Sequence, residues 1–430
     1  MTDTFQSTDR FNSASTLNAL RVGFFLAHRQ LRANIGPGAL VVIVLMLTYL
    51  NLLIVSGIMV GIVQGLRDER QQNYTSDVIL SNLRPRNSIE NSNEVLAFIR
   101  SLPSVASVTH RYLEEGLLVA NYAAKTKLSD NPDSIATFVV GINPGEEDST
   151  TNLSHLIVEG QYLRPDDYDQ VLIGTSLLSR YKTLTAIPGS EPLPNVGVGS
   201  KVRLVINGIE REMTVKGILG SKVQEVNLRL FMVDTQLRNM LNRNRNNVNE
   251  ISISVAPGHT ASEVIAILKQ AGVADEAKIQ SALQSEPTFF QDFATTFNQL
   301  GTLLGGIGLI AASITVFILV FISAVTRRKY IGILKAIGIK LSAIEIAYVV
   351  QSLLYAVIGI ALGMLASFYI LQPFFSIHPL DFPFSNGVLT LSMQDAIIKA
   401  LVFIFAIIFA SFIPARMIGR QDVVSAMLGR

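Results

Sequence analysis

Residues whose spacing could support catalysis or ligand chemistry are sparse in this sequence. Gly199, Ser200 and Lys201 lack the Gly-Lys pair of the phosphate-binding loop GxxxxGK[ST], and they fall in a β-rich region. The five histidines are scattered, whereas metal ligands usually cluster at short fixed spacing. The chain has no cysteine, which excludes disulfides and thiolate chemistry. The sequence therefore predicts a protein that is not an enzyme and carries no cofactor.

A short basic segment, residues 326–344, has the clearest chemical character in the chain. It contains no acid, and its cations are Arg327, Arg328, Lys329, Lys335 and Lys340. The segment lies between two long apolar runs. Lys and Arg are enriched in those short loops of membrane proteins that remain in the cytoplasm. We therefore expect this loop to be cytoplasmic and to contact a cytoplasmic partner.

Four apolar runs predict membrane spans, and the basic loop lies between the second and the third of them. Apolar residues make up 49% of the chain and charged residues 16%, where a soluble domain has about 25% charged residues. Runs 40–63, 300–325 and 346–371 contain no charged side chain, and run 396–415 contains only Lys399. Each is close to the roughly 20 residues that a helix needs to cross a bilayer.

Polar residues inside these runs are limited to Asn51, Gln351 and hydroxyl side chains. Proton- and ion-coupled transporters usually place acids, His or Arg within the bilayer, so the energy for any work is expected to come from a partner. Two GxxxG patterns, Gly301 with Gly305 and Gly359 with Gly363, fit either a dimer face or packing within the four helices, and we favour packing.

Charge in the short loops predicts the orientation and the domains. The fold class is an α-helical membrane protein with four transmembrane helices and a large α+β extracytoplasmic domain between helices 1 and 2. Both termini and the basic loop are predicted to be cytoplasmic, because loop 372–395 contains no Lys or Arg. The predicted segments are a cytoplasmic N-terminus with an amphipathic interfacial helix (1–38), helix 1 (39–63), the extracytoplasmic domain (64–285), a stalk with helix 2 (286–325), the cytoplasmic loop (326–344), helix 3 (345–371), an outer loop (372–395), helix 4 (396–415) and a cytoplasmic tail (416–430).

Alternating patterns predict the interior of the extracytoplasmic domain. The turn at Asn207 and Gly208 predicts a hairpin of strands 201–207 and 210–219. Pieces at the two ends of the domain are expected to form a split α+β subdomain, with a β-rich subdomain inserted between them. The other predicted strands are 77–81, 105–110, 116–120, 136–142 and 250–255, and the predicted helices are 93–101 and 261–271.

The basic loop also carries a family resemblance. Residues 327–338, RRKYIGILKAIG, are similar to the coupling motif RRxEIGILRALGA of ABC permeases of the macrolide-exporter, lipoprotein-release and FtsX-like group (MacB, LolC/LolE, FtsX). Residues 414–416 and 421–428 resemble the PAR…DPVEALR ending of these proteins. Tyr330 stands in place of the usual Glu, and Val423 and Ser425 in place of Pro and Glu. Residues 160–179 and 197–219 also resemble stretches of the family's outer domain.

This resemblance implies a subunit of the bacterial plasma membrane that forms a homodimer or a heterodimer with a similar permease. A separate ABC ATPase would carry ATP and magnesium and bind the coupling loop. The implied coupling residues are Arg328, Ile331, Gly332, Ile333, Leu334, Lys335, Ile337 and Gly338. Ile333, Leu334 and Ile337 can share one apolar face of a helix, which would dock on the ATPase or rest on the membrane surface.

Two functions are compatible with this resemblance. The first is export or extraction of a lipophilic substrate, a peptide or a lipoprotein. The alternative is an FtsX-like transmitter that regulates an extracytoplasmic cell-wall hydrolase. The large outer domain favours transport, because FtsX-like outer domains are usually smaller. The expected outer partner is accordingly an adaptor, a lipoprotein carrier or a hydrolase, and no nucleic acid is expected.

Overall fold

The computed structural model describes residues 24, 25, 29, 35–122, 133–181, 191–243, 247–326, 328–339, 341–382 and 385–419. The chain divides into two compact units. The membrane unit comprises Met1–Ile62, Phe293–Leu380 and Gly387–Arg430, and the sheet unit comprises Val63–Asp292 and Asp381–Asn386. Most of the predicted amphipathic helix and the tail motif at 421–428 lie outside the described residues.

The helices follow the apolar and amphipathic patterns of the sequence. They are α1 (Ile35–Arg70), α2 (Ser92–Ser101), α3 (Pro144–Thr151), α4 (Gln224–Asn227), α5 (Asp234–Met240), α6 (Ala261–Gln270), α7 (Thr288–Thr326), α8 (Arg328–Ala336), α9 (Leu341–Ala366), α10 (Gln372–Ile377) and α11 (Met393–Gly419). Five-residue π-helical segments follow α1 (Gln71–Thr75) and α9 (Ser367–Leu371). Among the described residues, four helices are long and apolar enough to cross a bilayer, which agrees with the predicted four spans.

The strands are β1 (Val78–Asn82), β2 (Val105–Ala120), β3 (Asp133–Ile142), β4 (Ile157–Gly160), β5 (Gln170–Gly174), β6 (Lys201–Ile206), β7 (Ile209–Leu219), β8 (Arg229–Val233), β9 (Glu250–Val255), β10 (Ala277–Ser281), β11 (Leu380–Phe382) and β12 (Ser385–Gly387). Strands β1 to β10 form one sheet in the order β10-β1-β9-β2-β3-β8-β5-β7-β4, and β6 pairs with β2 and β7. The predicted hairpin is confirmed, because β6 and β7 pair antiparallel around Asn207 and Gly208, which both have positive φ.

Strand β2 corrects the sequence prediction. Residues 105–110 and 116–120 were expected to be two strands, but Val105–Ala120 is a single strand that pairs with β9 along its first half and with β3 and β6 further on. The charged pair Glu114 and Glu115 interrupts the apolar pattern without ending the strand. A separate core lies under the two end pieces, with Val78, Ile99 and Leu268 buried in it. The inserted part is nevertheless joined to this subdomain through β2.

The core of the membrane unit is built on α1. The Tyr49 ring lies 5.7 Å from the Phe403 ring between centroids, and its hydroxyl donates to the carbonyl of Ala396 at 2.8 Å. Buried Leu45 and Leu53 continue this face, whereas the side chains of Leu303, Ile307 and similar residues are exposed. A bundle with apolar residues both inside and outside is what a lipid solvent requires, because lipid offers no hydrogen bonds to polar groups.

Both GxxxG patterns pack within the chain. A Cβ at Gly359 would lie 3.1 Å from Leu45 Cβ, and one at Gly363 would lie 2.9 Å from the Tyr49 ring. On α7, a Cβ at Gly305 would lie 3.0 Å from Leu52, and one at Gly301 would lie 3.4 Å from Met59. All four glycines therefore face α1, which supports packing, the preferred interpretation of the two patterns.

A third set of glycines, on α1 itself, was not recognised from the sequence. In the membrane unit, Gly57 faces the side chains of Leu389 and Leu391, and Gly61 faces the carbonyl of Val388. In the sheet unit, Gly65 faces the backbone of Asn386. The spacing of four residues places these glycines in one row on α1, so the segment after β11 can lie directly against the helix backbone.

Substitution of Gly61 tests this close packing. A Cβ there would lie 1.6 Å from the carbonyl oxygen of Val388, so the backbone must move. Gly61→Ala should destabilise the protein by about 1–3 kcal/mol, the usual cost of overpacking. The measurement is the thermal unfolding midpoint of the purified protein in detergent.

The matched control is Gly306→Ala, because Gly306 also lies in a membrane helix and a Cβ there would meet no atom within 4 Å. This control should leave the midpoint unchanged or raise it, since Ala favours helix over Gly by about 1 kcal/mol. Equal midpoints for the two variants would contradict the packing described for α1.

Candidate coupling helix and charged junction

Helix α8, Arg328–Ala336, forms the loop between the second and third membrane helices. Its predicted site residues do not share one surface. Ile331 and Gly332 are buried, and Ile331 belongs to the same core cluster as Val320 and Tyr348. Leu334 is half-buried against that cluster. One side of α8 therefore anchors the loop to the membrane unit.

The opposite side of α8 is apolar and exposed. Tyr330 is 70% exposed, Ile333 45% and Ile337 74%. These residues are spaced i, i+3 and i+7, so they lie along one side of the helix. The sequence analysis grouped Leu334 with Ile333 and Ile337, but Leu334 differs from them because it is half-buried against the membrane core. We call Tyr330, Ile333 and Ile337 the free face.

Gly338 ends the helix. Its φ of +94° is in the left-handed region, and the amide of Ile339 donates to the carbonyl of Leu334 at 3.1 Å. This bond is the 6→1 bond of a Schellman motif, which favours glycine at the left-handed position. Ile339 then packs against the membrane core and leaves Ile337 exposed. Arg328 and Lys335 lie on α8, but their side chains are outside the described part of the structure, as are residues Arg327 and Lys340.

A second set of functional candidates lies in the sheet unit, where α1 ends. Arg67 Nε donates to Glu286 at 2.7 Å, and Arg70 Nε donates to Glu225 at 2.9 Å. Arg70 also donates to the hydroxyl of Ser285 at 2.9 Å. These bonds fix the last turns of α1 to the chain just before α7 and to helix α4. Basic side chains also interact favourably with the negative end of a helix dipole.

Tyr74, in the π-helical turn after α1, is buried among arginines. The guanidinium carbons of Arg111 and Arg229 lie 4.6 and 4.9 Å from its ring centroid, so both make cation–π contacts. The Tyr74 hydroxyl donates to Glu250 at 2.8 Å, and its carbonyl accepts from Arg111 at 2.7 Å. We call Tyr74, Arg111, Glu147, Arg229 and Glu250 the charged junction.

Arg111 and Glu147 form the centre of the charged junction. Each side chain is only 1% exposed, and Arg111 Nη2 donates to Glu147 Oε1 at 2.6 Å. Thr109 and Thr151 donate to the two oxygens of Glu147 at 2.9 and 2.8 Å. A buried ion pair is costly unless its remaining hydrogen-bonding capacity is satisfied, and these hydroxyls supply that capacity. Charge patterning did not indicate this cluster, because consecutive members along the chain are separated by 21 residues or more.

Glu250 shows the electrostatic balance of the junction. Burial raises the pKa of its carboxyl, but Arg229 and Arg111, with hydrogen bonds from Arg229 and Tyr74, outweigh burial and lower the pKa to about 2. The carboxylate of Glu250 is therefore ionised over the whole physiological range.

The loop between the third and fourth spans has more structure than the sequence indicated. Strands β11 and β12 pair in a small hairpin, and Asp381–Asn386 belong to the sheet unit. Lys222 donates to Asp381 at 2.6 Å and to the side-chain oxygen of Asn386 at 2.5 Å, and Asn386 donates to Glu69 at 2.6 Å. Hydrogen bonding to Lys222 lowers the pKa of Asp381. The hairpin is thus held by charged hydrogen bonds.

The described residues give no support for metal chemistry. No group of three or more His, Asp or Glu side chains among them is arranged to hold a metal ion. His110 contacts Glu146 at 3.2 Å and Asp234 at 3.7 Å, which makes it a partner of acids in the sheet unit. What the described residues offer is an exposed apolar helix face, which is suited to protein or membrane contact, and a buried charge cluster, which positions the elements around it.

Two family models match the chain over complementary parts. The FtsX-like permease C-terminal model matches residues 302–423, which include α8 and the helices on either side of it. The MacB-like periplasmic core domain model matches residues 54–271, about half of the chain. The chain belongs to the FtsX/MacB-like family of ABC permeases. Members of this family are membrane subunits, generally non-catalytic, that work with an ABC ATPase.

Two solved structures are similar to this permease. The periplasmic region of MacB from Actinobacillus actinomycetemcomitans is 14% identical with a TM-score of 0.34, and the match covers 50% of this chain and 94% of that chain. The extracellular domain of the noncanonic ABC-type transporter YknZ from Gram-positive bacteria is 11% identical with a TM-score of 0.30, and the match covers 48% and 100%. No curated protein sequence matches the permease.

The charged junction yields a prediction on pH dependence. A carboxyl with a folded-state pKa of about 2 stabilises the fold above its unfolded value near 4.5, and that stabilisation is lost as the pH falls from about 4.5 to 2. The shift corresponds to about 3 kcal/mol. Glu250→Gln should therefore lower the thermal midpoint at pH 7 and lose less stability than the parent protein between pH 4.5 and 2.5.

The measurement is thermal unfolding of the full chain by circular dichroism at several pH values. The control is Glu94→Gln, an exposed acid on α2, which should change the midpoint little at any pH. A Glu250→Gln variant as stable as the parent at pH 7 would mean that the junction does not depend on this charge.

Proposed function

We propose that this permease transmits the work of a separate ATPase from α8 to the sheet unit. The observation that carries this proposal is the free face of α8. An apolar face on a basic loop helix is exposed in this chain, and large exposed apolar patches mark sites of protein or membrane contact. The ATPase, which holds ATP and magnesium, covers this face, and the anchored side of α8 passes its movement to the membrane helices.

The anchored side of α8 supports this role. Ile331, Leu334 and Ile339 pack against a core that contains residues of α1, α7, α9 and α11. Since packed cores transmit displacement with little compression, a push on the free face moves these helices together. Helix α1 continues beyond its predicted span and ends at Arg70, and helix α7 begins at Thr288, well before the apolar run. In the sheet unit, Arg67 and Arg70 are bonded to the segment before α7 and to α4.

The orientation in the proposal follows the loop charges. Both termini and α8 are cytoplasmic, the sheet unit is extracytoplasmic, and the protein resides in the bacterial plasma membrane. The permease acts as a dimer with itself or with a similar chain. It drives export or extraction of a lipophilic substrate, a peptide or a lipoprotein, with an extracytoplasmic adaptor or carrier as partner. The size of the outer domain supports this role over regulation of a cell-wall hydrolase, because FtsX-like outer domains are usually smaller.

Charge substitutions on the free face test ATPase docking. Ile333→Asp and Ile337→Asp should each abolish co-purification of the ATPase. A desolvated and unpaired carboxylate in an apolar contact costs several kcal/mol, which lowers the affinity by more than about tenfold. Leu334→Asp should instead reduce the abundance of folded permease, since Leu334 packs against the membrane core. The measurement is the amount of ATPase recovered at equal permease abundance.

Two controls accompany these variants. Lys329→Ala removes an exposed charge from the start of α8 and should retain the ATPase. Val158→Asp places the same carboxylate at an exposed apolar residue of β4 and should also retain it. Full ATPase recovery with both Ile333→Asp and Ile337→Asp would show that the free face rests on the membrane surface and is not the docking site.

Orientation is tested with single cysteines, since the chain has none. Ser101 and Ser342 are both exposed, the first at the end of α2 and the second in the first turn of α9. A membrane-impermeant thiol reagent added to spheroplasts should label Ser101→Cys and spare Ser342→Cys. Both variants should react after the membrane is solubilised. Labelling of Ser342→Cys from outside would reverse the orientation and remove the ATPase from this loop.

A further inference from the structure

A cleft of about 620 Å³ lies in the sheet unit, where the split subdomain and the inserted part meet along β2. The end of β1 lines it from the split subdomain, and Phe138 of β3 and Asn207 of the β6–β7 turn line it from the inserted part. Among its described lining residues, only Leu113 and Phe138 have wholly apolar side chains. Ligand sites of this volume often occur where domains meet, and this lining suits a polar ligand.

Glu115 and Phe138 form the most distinctive wall of this cleft. They are direct partners in the antiparallel pairing of β2 with β3, so their side chains share one face of the sheet, with Cβ atoms about 5 Å apart. Phe138 is 46% exposed. Glu115 is also exposed, and it has no ion pair or hydrogen bond among the residues that the structure describes. A carboxylate beside an aromatic ring attracts a Lys or Arg side chain through its charge and through a cation–π contact.

The other acids of the cleft already have partners. Glu250 is paired with Arg111 and Arg229 in the charged junction. Glu114 accepts from the Tyr112 hydroxyl and lies 3.9 Å from Arg243, the one described cation in the lining. Glu115 therefore gives the cleft a negative charge without a described counterpart, and this charge favours a cationic ligand.

Free carboxamides line another part of the cleft. The side chains of Asn87, Asn207 and Asn247 have no hydrogen-bond partner among the described residues. A carboxamide offers two donors and one acceptor oxygen, so it can bind both polar groups of a peptide bond. A neutral sugar could bind the carboxamides and the Phe138 ring, but it would leave Glu115 without an opposite charge. A basic peptide uses the carboxylate, the ring and the carboxamides together.

We propose that this cleft binds a short basic peptide segment, with a Lys or Arg side chain against Glu115 and Phe138 and with the peptide backbone bonded to the carboxamides of Asn87, Asn207 and Asn247. The site goes beyond the proposed coupling function and does not depend on it, because it involves neither the free face of α8 nor an ATPase. Its failure would leave the coupling proposal unchanged.

The experiment measures binding of three end-blocked pentapeptides to the full chain in phosphatidylcholine nanodiscs. Their sequence is Gly-Ser-X-Ser-Gly, where X is lysine, norleucine or glutamate. Saturation-transfer NMR, with empty nanodiscs as background, gives the dissociation constants at about 150 mM salt. The lysine peptide should bind about five- to tenfold more tightly than the norleucine peptide, as expected for an exposed ion pair together with a cation–π contact. The glutamate peptide should bind more weakly than either.

Three substitutions separate the contributions to binding. Glu115→Gln should give the lysine and norleucine peptides equal affinity and leave the thermal midpoint unchanged, because Glu115 is exposed. Phe138→Leu keeps an apolar side chain without the ring, and it should reduce the preference for lysine about two- to fivefold. Asn247→Ala should weaken the lysine and norleucine peptides alike and keep the preference for lysine, because it removes a contact to the backbone only.

The matched control is Glu94→Gln, which removes an exposed acid of α2 that does not line the cleft and should keep the preference for lysine. Butylamine, the lysine side chain without a peptide backbone, should bind more weakly than the lysine peptide, because it has no peptide groups for the carboxamides to bind.

Four outcomes would overturn the proposal. They are equal binding of the lysine and norleucine peptides to the parent protein, an undiminished preference for lysine in Glu115→Gln, butylamine binding as tight as that of the lysine peptide, and tighter binding of chitotetraose than of the lysine peptide. The last result would assign the cleft to a carbohydrate.

Discussion

Close packing of glycines from neighbouring helices against α1 is the constraint on which the rest of the structure depends. Gly359 and Gly363 bring α9 against this helix, and Gly301 and Gly305 bring α7 against it. Lipid provides no hydrophobic force between helices, so van der Waals contact at short distance must hold them together. The glycines of α1 itself then admit the backbone of 388–391 in the membrane unit. One helix thus organises the packing of the membrane unit through positions where a larger side chain would not fit.

After Ile62, α1 is stabilised by a different kind of interaction. In the sheet unit, Arg67, Arg70 and Tyr74 are held by ion pairs, hydrogen bonds and cation–π contacts. A buried pair such as Arg111 and Glu147 adds little net stability compared with apolar packing, because desolvation offsets much of the attraction. It does fix geometry, since removing one partner leaves an unpaired buried charge. These directional bonds fix the end of α1 within the sheet unit.

Most of the membrane architecture could be predicted from the sequence, because an uncharged apolar run of about 20 residues rarely forms anything except a membrane span. The hairpin at Asn207 and Gly208 was predictable for a similar reason, since its turn chemistry is local. The charged junction was not, because its members are brought together only by the sheet. The hairpin of β11 and β12 was missed because Lys222, which holds it, lies far away in the sequence. The half-buried state of Leu334 could not be predicted for a related reason: helical spacing shows which residues are neighbours, but only tertiary packing shows which side faces inward.

The division of α8 into two sides bears on how the loop can work. A helix that is apolar all round and free in solution would bind a partner but transmit no force, and a helix fully buried in the membrane unit would transmit force but bind nothing. In this chain Ile331 and Leu334 hold one side in the core, while Tyr330, Ile333 and Ile337 remain exposed. Gly338 makes this possible, because its left-handed conformation ends the helix and returns Ile339 to the core within two residues of exposed Ile337. Tyr330 occupies the position of the usual Glu and extends the exposed apolar side, so the ATPase contact proposed for this loop would depend more on shape and burial than on an ion pair at that position.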